Sequence, residues 1–125
     1  MKLMKVLLMS LSISSLGALA PGCQTQGGSD FQSGGRVSGD EARKLIAKGA
    51  RLVDVRTVGE YRGGHIEGAL NIPVQELTSR VAELEPKDKP IIVYCASGNR
   101  SARARGVLKG AGFTAVSDLG AIDNW

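Results

Sequence analysis

Ile91-Ile92-Val93-Tyr94 constrains this chain more than any other stretch. The apolar residues run on without alternation, so a strand built from them is hydrophobic on both faces and needs helices on both sides, which calls for a parallel sheet. The flanking sequence supplies the helices. Ser38-Gly39-Asp40-Glu41 has the spacing of a capping box, followed by the apolar face Ala42, Leu45 and Ile46 and a stop at Gly49. Arg51 to Val55 is a short β-type run that ends in charge. Thr57-Val58-Gly59-Glu60 repeats the capping spacing and opens a short helix closed by Gly63-Gly64. Ala69 to Val74 reads as a second strand, which Asn71 and Pro73 confine to an edge position. Val74, Leu77, Val81 and Leu84 fall at helical spacing and Pro86 ends that helix. Ser101 to Lys109 predicts a further helix, stopped by Gly110 and Gly112, and Phe113 to Ser117 a last strand. Strands interleaved with helices predict a three-layer α/β domain, with ligands gathered at the C-terminal ends of the strands.

With 125 residues the chain has room for one domain. A hydrophobic share of 42% beside 22% charged residues is that of a globular protein. Residues 1–22 read as an export signal: Lys2 and Lys5 form a basic start, and Val6 to Ala20 is an apolar stretch of 15 residues, shorter than the roughly 20 that span a bilayer. Two cleavage sites compete. Ala18-Leu19-Ala20 fits a small-x-small site, whereas Ala20-Pro21-Gly22-Cys23 resembles the lipobox of bacterial lipoproteins, with Leu19 four rather than three residues before the cysteine. Lipidation at Cys23 is the favoured expectation, because it accounts for a lone cysteine directly after an export signal. The expected location is then the periplasmic side, on the membrane through the N-terminal lipid alone. Residues 23–36, rich in Gly, Ser and Gln, predict a flexible tether, and the domain is expected over 37–125.

The formal charge of +4 falls to +2 once Lys2 and Lys5 are removed with the leader. Nucleic acid is not an expected partner at that charge, since no basic stripe with helical or aromatic readers is visible. No group of Cys, His and carboxylates has metal-ligand spacing, and no glycine loop has the setting of a cofactor site, so neither metal nor cofactor is expected. The lone His65, in Gly64-His65-Ile66, reads as a structural turn histidine.

Chemistry concentrates at Cys95-Ala96-Ser97-Gly98-Asn99-Arg100-Ser101. Cys95 follows the apolar strand, so it stands at the edge where ligands collect. Small residues in the turn let backbone amides approach a ligand, and Gly98 and Asn99 tolerate the positive φ of a tight cradle. The N-terminus of the next helix adds partial positive charge, which lowers a thiol pKa and favours the thiolate. Arg100 and Arg103 oppose the dipole of that helix unless an anion sits nearby. An anionic substrate or a charged sulfur would supply it. A buried structural cysteine backed by a solvated helix face would explain neither the glycine turn nor the clustered arginines.

This loop resembles the active-site loop of the rhodanese (thiosulfate sulfurtransferase) family. Asp54-Val55-Arg56 resembles the family's strand end, Glu60 to Pro73 its long middle motif, and Leu119 to Trp125 its closing motif, with Ala121 where a second glycine is usual. The likeness spans roughly residues 37 to 125. It implies a five-stranded parallel sheet between helices and a covalent mechanism, in which Cys95 takes sulfane sulfur from a small anionic donor such as thiosulfate and passes the persulfide sulfur to a thiophilic acceptor, cyanide, a thiol or a protein. It implies that Ala96, Ser97, Gly98, Asn99 and Arg100 hold the donor and the charged sulfur, with Asp54, Arg56 and Arg103 in support. Two alternatives stay open. One is a persulfide carrier without turnover. The other is a cysteine phosphatase or arsenate reductase, whose arginine stands six positions after the cysteine where Arg100 stands five after Cys95.

Overall fold

A computed structural model describes residues 35–125. The expected signal peptide, Cys23 and all of the expected tether except Gly35 and Arg36 lie outside these residues. Among the described residues no helix is long and apolar enough to cross a membrane.

Four parallel strands form one sheet: β1 (Arg51–Asp54), β2 (Leu70–Asn71), β3 (Ile91–Cys95) and β4 (Val116–Ala121), in the order β2-β1-β3-β4. The helices are α1 (Gly39–Ala47), α2 (Val58–Arg62), α3 (Val74–Arg80) and α4 (Asn99–Gly110), with 3-10 turns at Val81–Leu84 and Ile122–Asn124. Both capping boxes form. Ser38 and Glu41 exchange side chain-to-amide bonds at the start of α1, and Thr57 and Glu60 do so at the start of α2.

Every residue of β3 is buried. Because side chains alternate along a strand, its two faces feed two separate cores. Ile91, Val93 and Cys95 pack with Val53, Val55, Leu77 of α3, and Ala104 and Leu108 of α4. Ile92 and Tyr94 pack with Leu52, Ala42 of α1, Ile66 and Leu119. The sandwich of helices, sheet and helices is thus written into five residues of one strand.

Four details differ from the sequence expectations. The sheet has four strands rather than five, and a single parallel bridge, Arg36 to Asp118, occupies the fifth place beside β4. Ser38 already caps α1, so the extended segment ends after Val37. The last strand is Val116–Ala121, not 113–117. Gly112 (φ +101°) turns the chain out of α4 and the Phe113 amide bonds back to the Leu108 carbonyl, which makes Phe113 part of the helix stop rather than of a strand. α4 begins at Asn99, two residues before the expected start, so Asn99 and Arg100 lie in its first turn. The edge strand β2 shrinks to Leu70–Asn71 because Pro73 caps α3.

Leu108 is fully buried beneath the sheet. Leu108→Ala should cost about 2–5 kcal/mol of unfolding free energy, read from the denaturant midpoint at unchanged slope.

Candidate active site

The strand order reverses between β1 and β3, and the loops that leave those two strands diverge there to opposite faces, α2 on one and α4 on the other. Such a switch point is where open parallel sheets bind ligands. Cys95 is the last residue of β3, and its side chain lies on the α4 face. Ala96, half-buried, and Ser97, exposed, carry the chain to buried Gly98, whose φ of +106° folds the loop back over the sulfur. The Gly98 amide donates to Cys95 Sγ at 2.9 Å. α4 has no side-chain cap of its own, so the sulfur stands where a capping oxygen normally would.

Cys95 has no solvent-exposed surface. Burial is the largest single influence on the thiol and pushes its pKa up, yet the net shift is downward. The amides of Ser101, Gly98 and Ser97 and the Ser101 hydroxyl stabilise the thiolate and together outweigh desolvation. Ser101 Oγ, itself fully buried, also reaches the Gly98 carbonyl at 3.1 Å, so its one proton is divided between that oxygen and the sulfur. A cysteine kept only for packing would have its pKa raised. Surface hollows of about 300 Å³, beside Arg51 and Leu70, and about 370 Å³, between α3 and α4, include no residue of this loop.

Arg100 does not point a free charge at solvent. Its Nη1 and Nη2 donate to Glu60 Oε1 and Oε2 at 2.8 and 3.0 Å, a bidentate pair that ties the first turn of α4 to α2 across the switch point. Arg100, with the Thr57 amide, holds the Glu60 carboxyl down at about 2. The anion that the sequence demanded beside Arg100 is therefore supplied from within the chain, with the Cys95 thiolate adding a weaker attraction. Asp54 and Arg56 form a second pair, buried, with Arg56 Nη2 2.6 Å from Asp54 Oδ2 and 2.8 Å from the Gly64 carbonyl. Arg56 also lies 5.7 Å from the Tyr94 ring centroid. Asp54 pairs in register with Tyr94, on the sheet face opposite Cys95. The support that Asp54 and Arg56 give thus goes to the segment around α2, not directly to the cysteine loop. Asn99 is exposed, and Arg103 is exposed further along α4 with no hydrogen bond to the loop, so the supporting role expected for Arg103 finds no contact here. His65 stacks on Tyr61, ring centroids 3.7 Å apart, with Nδ1 2.9 Å from the Tyr61 carbonyl oxygen. Among the described residues no group of three His, Cys, Asp or Glu could hold a metal ion.

The model of the rhodanese-like domain matches residues 38–125. The chain belongs to that family. Among its rhodanese relatives, the thiosulfate:glutathione sulfurtransferase of Homo sapiens is 36% identical over 105 residues, covering 71% of this chain and 90% of that protein. The thiosulfate sulfurtransferase PspE of Escherichia coli is 37% identical over 71 residues, 56% of this chain and 68% of that one. An uncharacterized Bacillus subtilis protein, YqhL, is 43% identical over 77 residues, a match that spans 60% of its length. Among solved structures, a human single-domain sulfurtransferase superposes with a TM-score of 0.65 at 35% identity, covering 72% of this chain and 93% of that one.

Two residues, Glu60 on α2 and Ser101 on α4, escaped the sequence reading as site components. Glu60 was visible as a capping residue, but its second task depends on α2 and α4 meeting. Ser101 was visible as the end of the Cys95–Ser101 stretch and as a helix start, but was given no role of its own; a hydroxyl in the first turn of a helix that follows a cysteine loop was the available signal.

Glu60 has a folded-state pKa of about 2 against an ordinary 4.5, so its charge contributes stability in full above about pH 4.5 and loses it as pH falls through 2. Glu60→Gln keeps the capping geometry and removes the charge. The stability gap between wild type and this variant should be widest near neutrality and should close toward pH 2, followed by denaturant unfolding across pH. Ser101→Ala should move the midpoint of the Cys95 alkylation-rate profile to higher pH.

Proposed function

We propose that this chain is a sulfurtransferase carrying sulfane sulfur on Cys95. One observation carries the reading: a sulfur excluded from water whose pKa is nevertheless lowered, because main-chain donors surround it. The names of the relatives, thiosulfate sulfurtransferases among them, agree with it. Such a ring of donors suits a negative sulfur as an oxyanion hole suits oxygen.

In the first half-reaction the Cys95 thiolate attacks the outer sulfur of thiosulfate. A new S–S bond forms, the bond to the sulfonate sulfur breaks, and sulfite leaves with its electron pair. The Cys95 persulfide that remains carries its charge on the terminal sulfur, beside the loop whose Ser97, Gly98 and Ser101 amides already face Sγ. An acceptor nucleophile then takes that sulfur; cyanide yields thiocyanate and returns the thiolate. Two half-reactions of this kind give ping-pong kinetics. Because Cys95 is covered in this conformation, the loop has to open over the sulfur to admit either reactant.

The N-terminal reading belongs to the same proposal. Residues 1–22 direct export, Cys23 takes lipid, and the residues between it and the Arg36 bridge tether the domain to the periplasmic side of a membrane. Donor and acceptor there are a small sulfur anion and a thiophile, free or on another protein.

Mass spectrometry after thiosulfate treatment should find one added sulfur atom on the Cys95 peptide, and lipid on the Cys23 peptide of the membrane-extracted chain. Cys95→Ser should abolish thiocyanate formation with the fold intact by circular dichroism; residual transfer would place the nucleophile elsewhere. Sulfur loading without thiocyanate turnover would instead favour a carrier, and hydrolysis of a phenyl phosphate without sulfur loading would favour a phosphatase.

A further inference from the structure

Two arginines around the site are committed to carboxylates of the segment that runs from β1 into α2, Arg100 to Glu60 and Arg56 to Asp54. A different arginine stands on the β4 side. Arg36 enters through the isolated bridge to Asp118, and its guanidinium lies close to the backbone at the end of β4. A methyl group on Gly120 would meet Arg36 Nη1 at 3.0 Å and Cζ at 3.1 Å, and one on Gly98 would meet Nη2 at 3.7 Å. Gly98 is the residue whose amide donates to the sulfur at 2.9 Å. Adding the intervening bond lengths places Nη2 no more than about 10 Å from Cys95 Sγ. The only ion pair of Arg36 among the described residues is a long one, Nε to Asp118 Oδ2 at 3.8 Å, and the side chain is 61% exposed. Asp118 is meanwhile engaged through Oδ1 by the Gly120 amide.

We propose that Arg36 is the residue that draws the anionic sulfur donor to Cys95, a task the family resemblance implied for Arg100 among the loop residues. Arg100 acts chiefly as a clasp between α4 and α2, its charge balanced by Glu60. Arg36 faces solvent beside the loop, and among the described residues most of its hydrogen-bonding fork has no partner; a guanidinium fork matches a sulfonate or similar oxyanion. At a separation near the Debye length of physiological salt, about 8 Å, its pull is real but sensitive to ionic strength. The alternative, that Arg36 serves only to fasten the chain to β4, gains little from an exposed pair at that distance.

The inference rests on the sulfurtransferase reading for the nature of the donor, so one test is independent of turnover. The native full chain and its Arg36→Ala, Arg36→Glu and Arg36→Lys variants are alkylated with iodoacetate, an anion, and with neutral iodoacetamide, both read on the Cys95 peptide. The ratio of the two rates should fall about threefold in Arg36→Ala, fall further in Arg36→Glu, and return in Arg36→Lys. In the sulfur-transfer assay the KM for thiosulfate should rise about threefold or more in Arg36→Ala with kcat held, and its dependence on salt should flatten. An unchanged ratio in the alanine and glutamate variants overturns the proposal, as does a loss confined to kcat, or a native Cys95 inert to both reagents. A ratio that follows the charge in a wild type that never loads sulfur supports anion recruitment by Arg36 and sinks the sulfurtransferase reading instead.

Discussion

A sulfur sealed from water can carry a negative charge only if other dipoles replace the lost hydration. At Cys95 the replacement is a set of N–H groups from the turn and first helical residues that follow it. Much of the site follows from meeting this requirement. The strand must end at the cysteine so that the turn can fold over it, the turn must contain a residue tolerant of φ +106°, and the helix must start without a capping side chain so that its amides remain for the sulfur. An unpaired charge in the same place would cost several kcal/mol and the thiol would stay protonated. The lowered pKa is therefore a statement about loop geometry more than about the cysteine.

The loop is in turn held by charge pairs arranged in series across the sheet. Asp54 and Arg56 fix the chain after β1 and grip the Gly64 carbonyl, which frames α2. α2 presents Glu60, and Glu60 holds Arg100 in the first turn of α4. Removing one partner of a buried pair such as Asp54–Arg56 leaves an uncompensated charge, at a cost of about 3–5 kcal/mol. The half-exposed Glu60–Arg100 pair contributes less to stability and more to placement. Positive charge in the first turn of α4 is tolerable because a carboxylate from another helix and the thiolate both face it.

Some of this was legible residue by residue. Ser38–Glu41 and Thr57–Glu60 announced two helix starts, since a capping box is a local exchange of hydrogen bonds needing no tertiary partner. The unalternating β3 run announced a sheet covered on both faces, and the long middle motif, with the loop, identified the family. Misreadings arose where partners are distant in sequence. Phe113 looked like the start of a strand and is the buried stop of a helix. The fifth strand was reduced to one bridge by a helix cap two residues on. The role of Arg100 was read from its own helix and from the loop's family resemblance, neither of which shows that α2 brings Glu60 to it.

The amino-acid sequence by itself determined the layered α/β architecture, the position of Cys95 at the C-terminal edge of the sheet and the small-residue turn after it, because hydrophobic pattern, capping and glycine tolerance act over a few residues. Only the tertiary structure decided which cations near the sulfur are closely paired and which are only loosely so among the described residues. That outcome depends on Glu60 meeting Arg100 over 40 residues of chain, and on Arg36 being laid beside Gly98 by pairing with β4. Electrostatics is a matter of distance in space, and no local pattern encodes it.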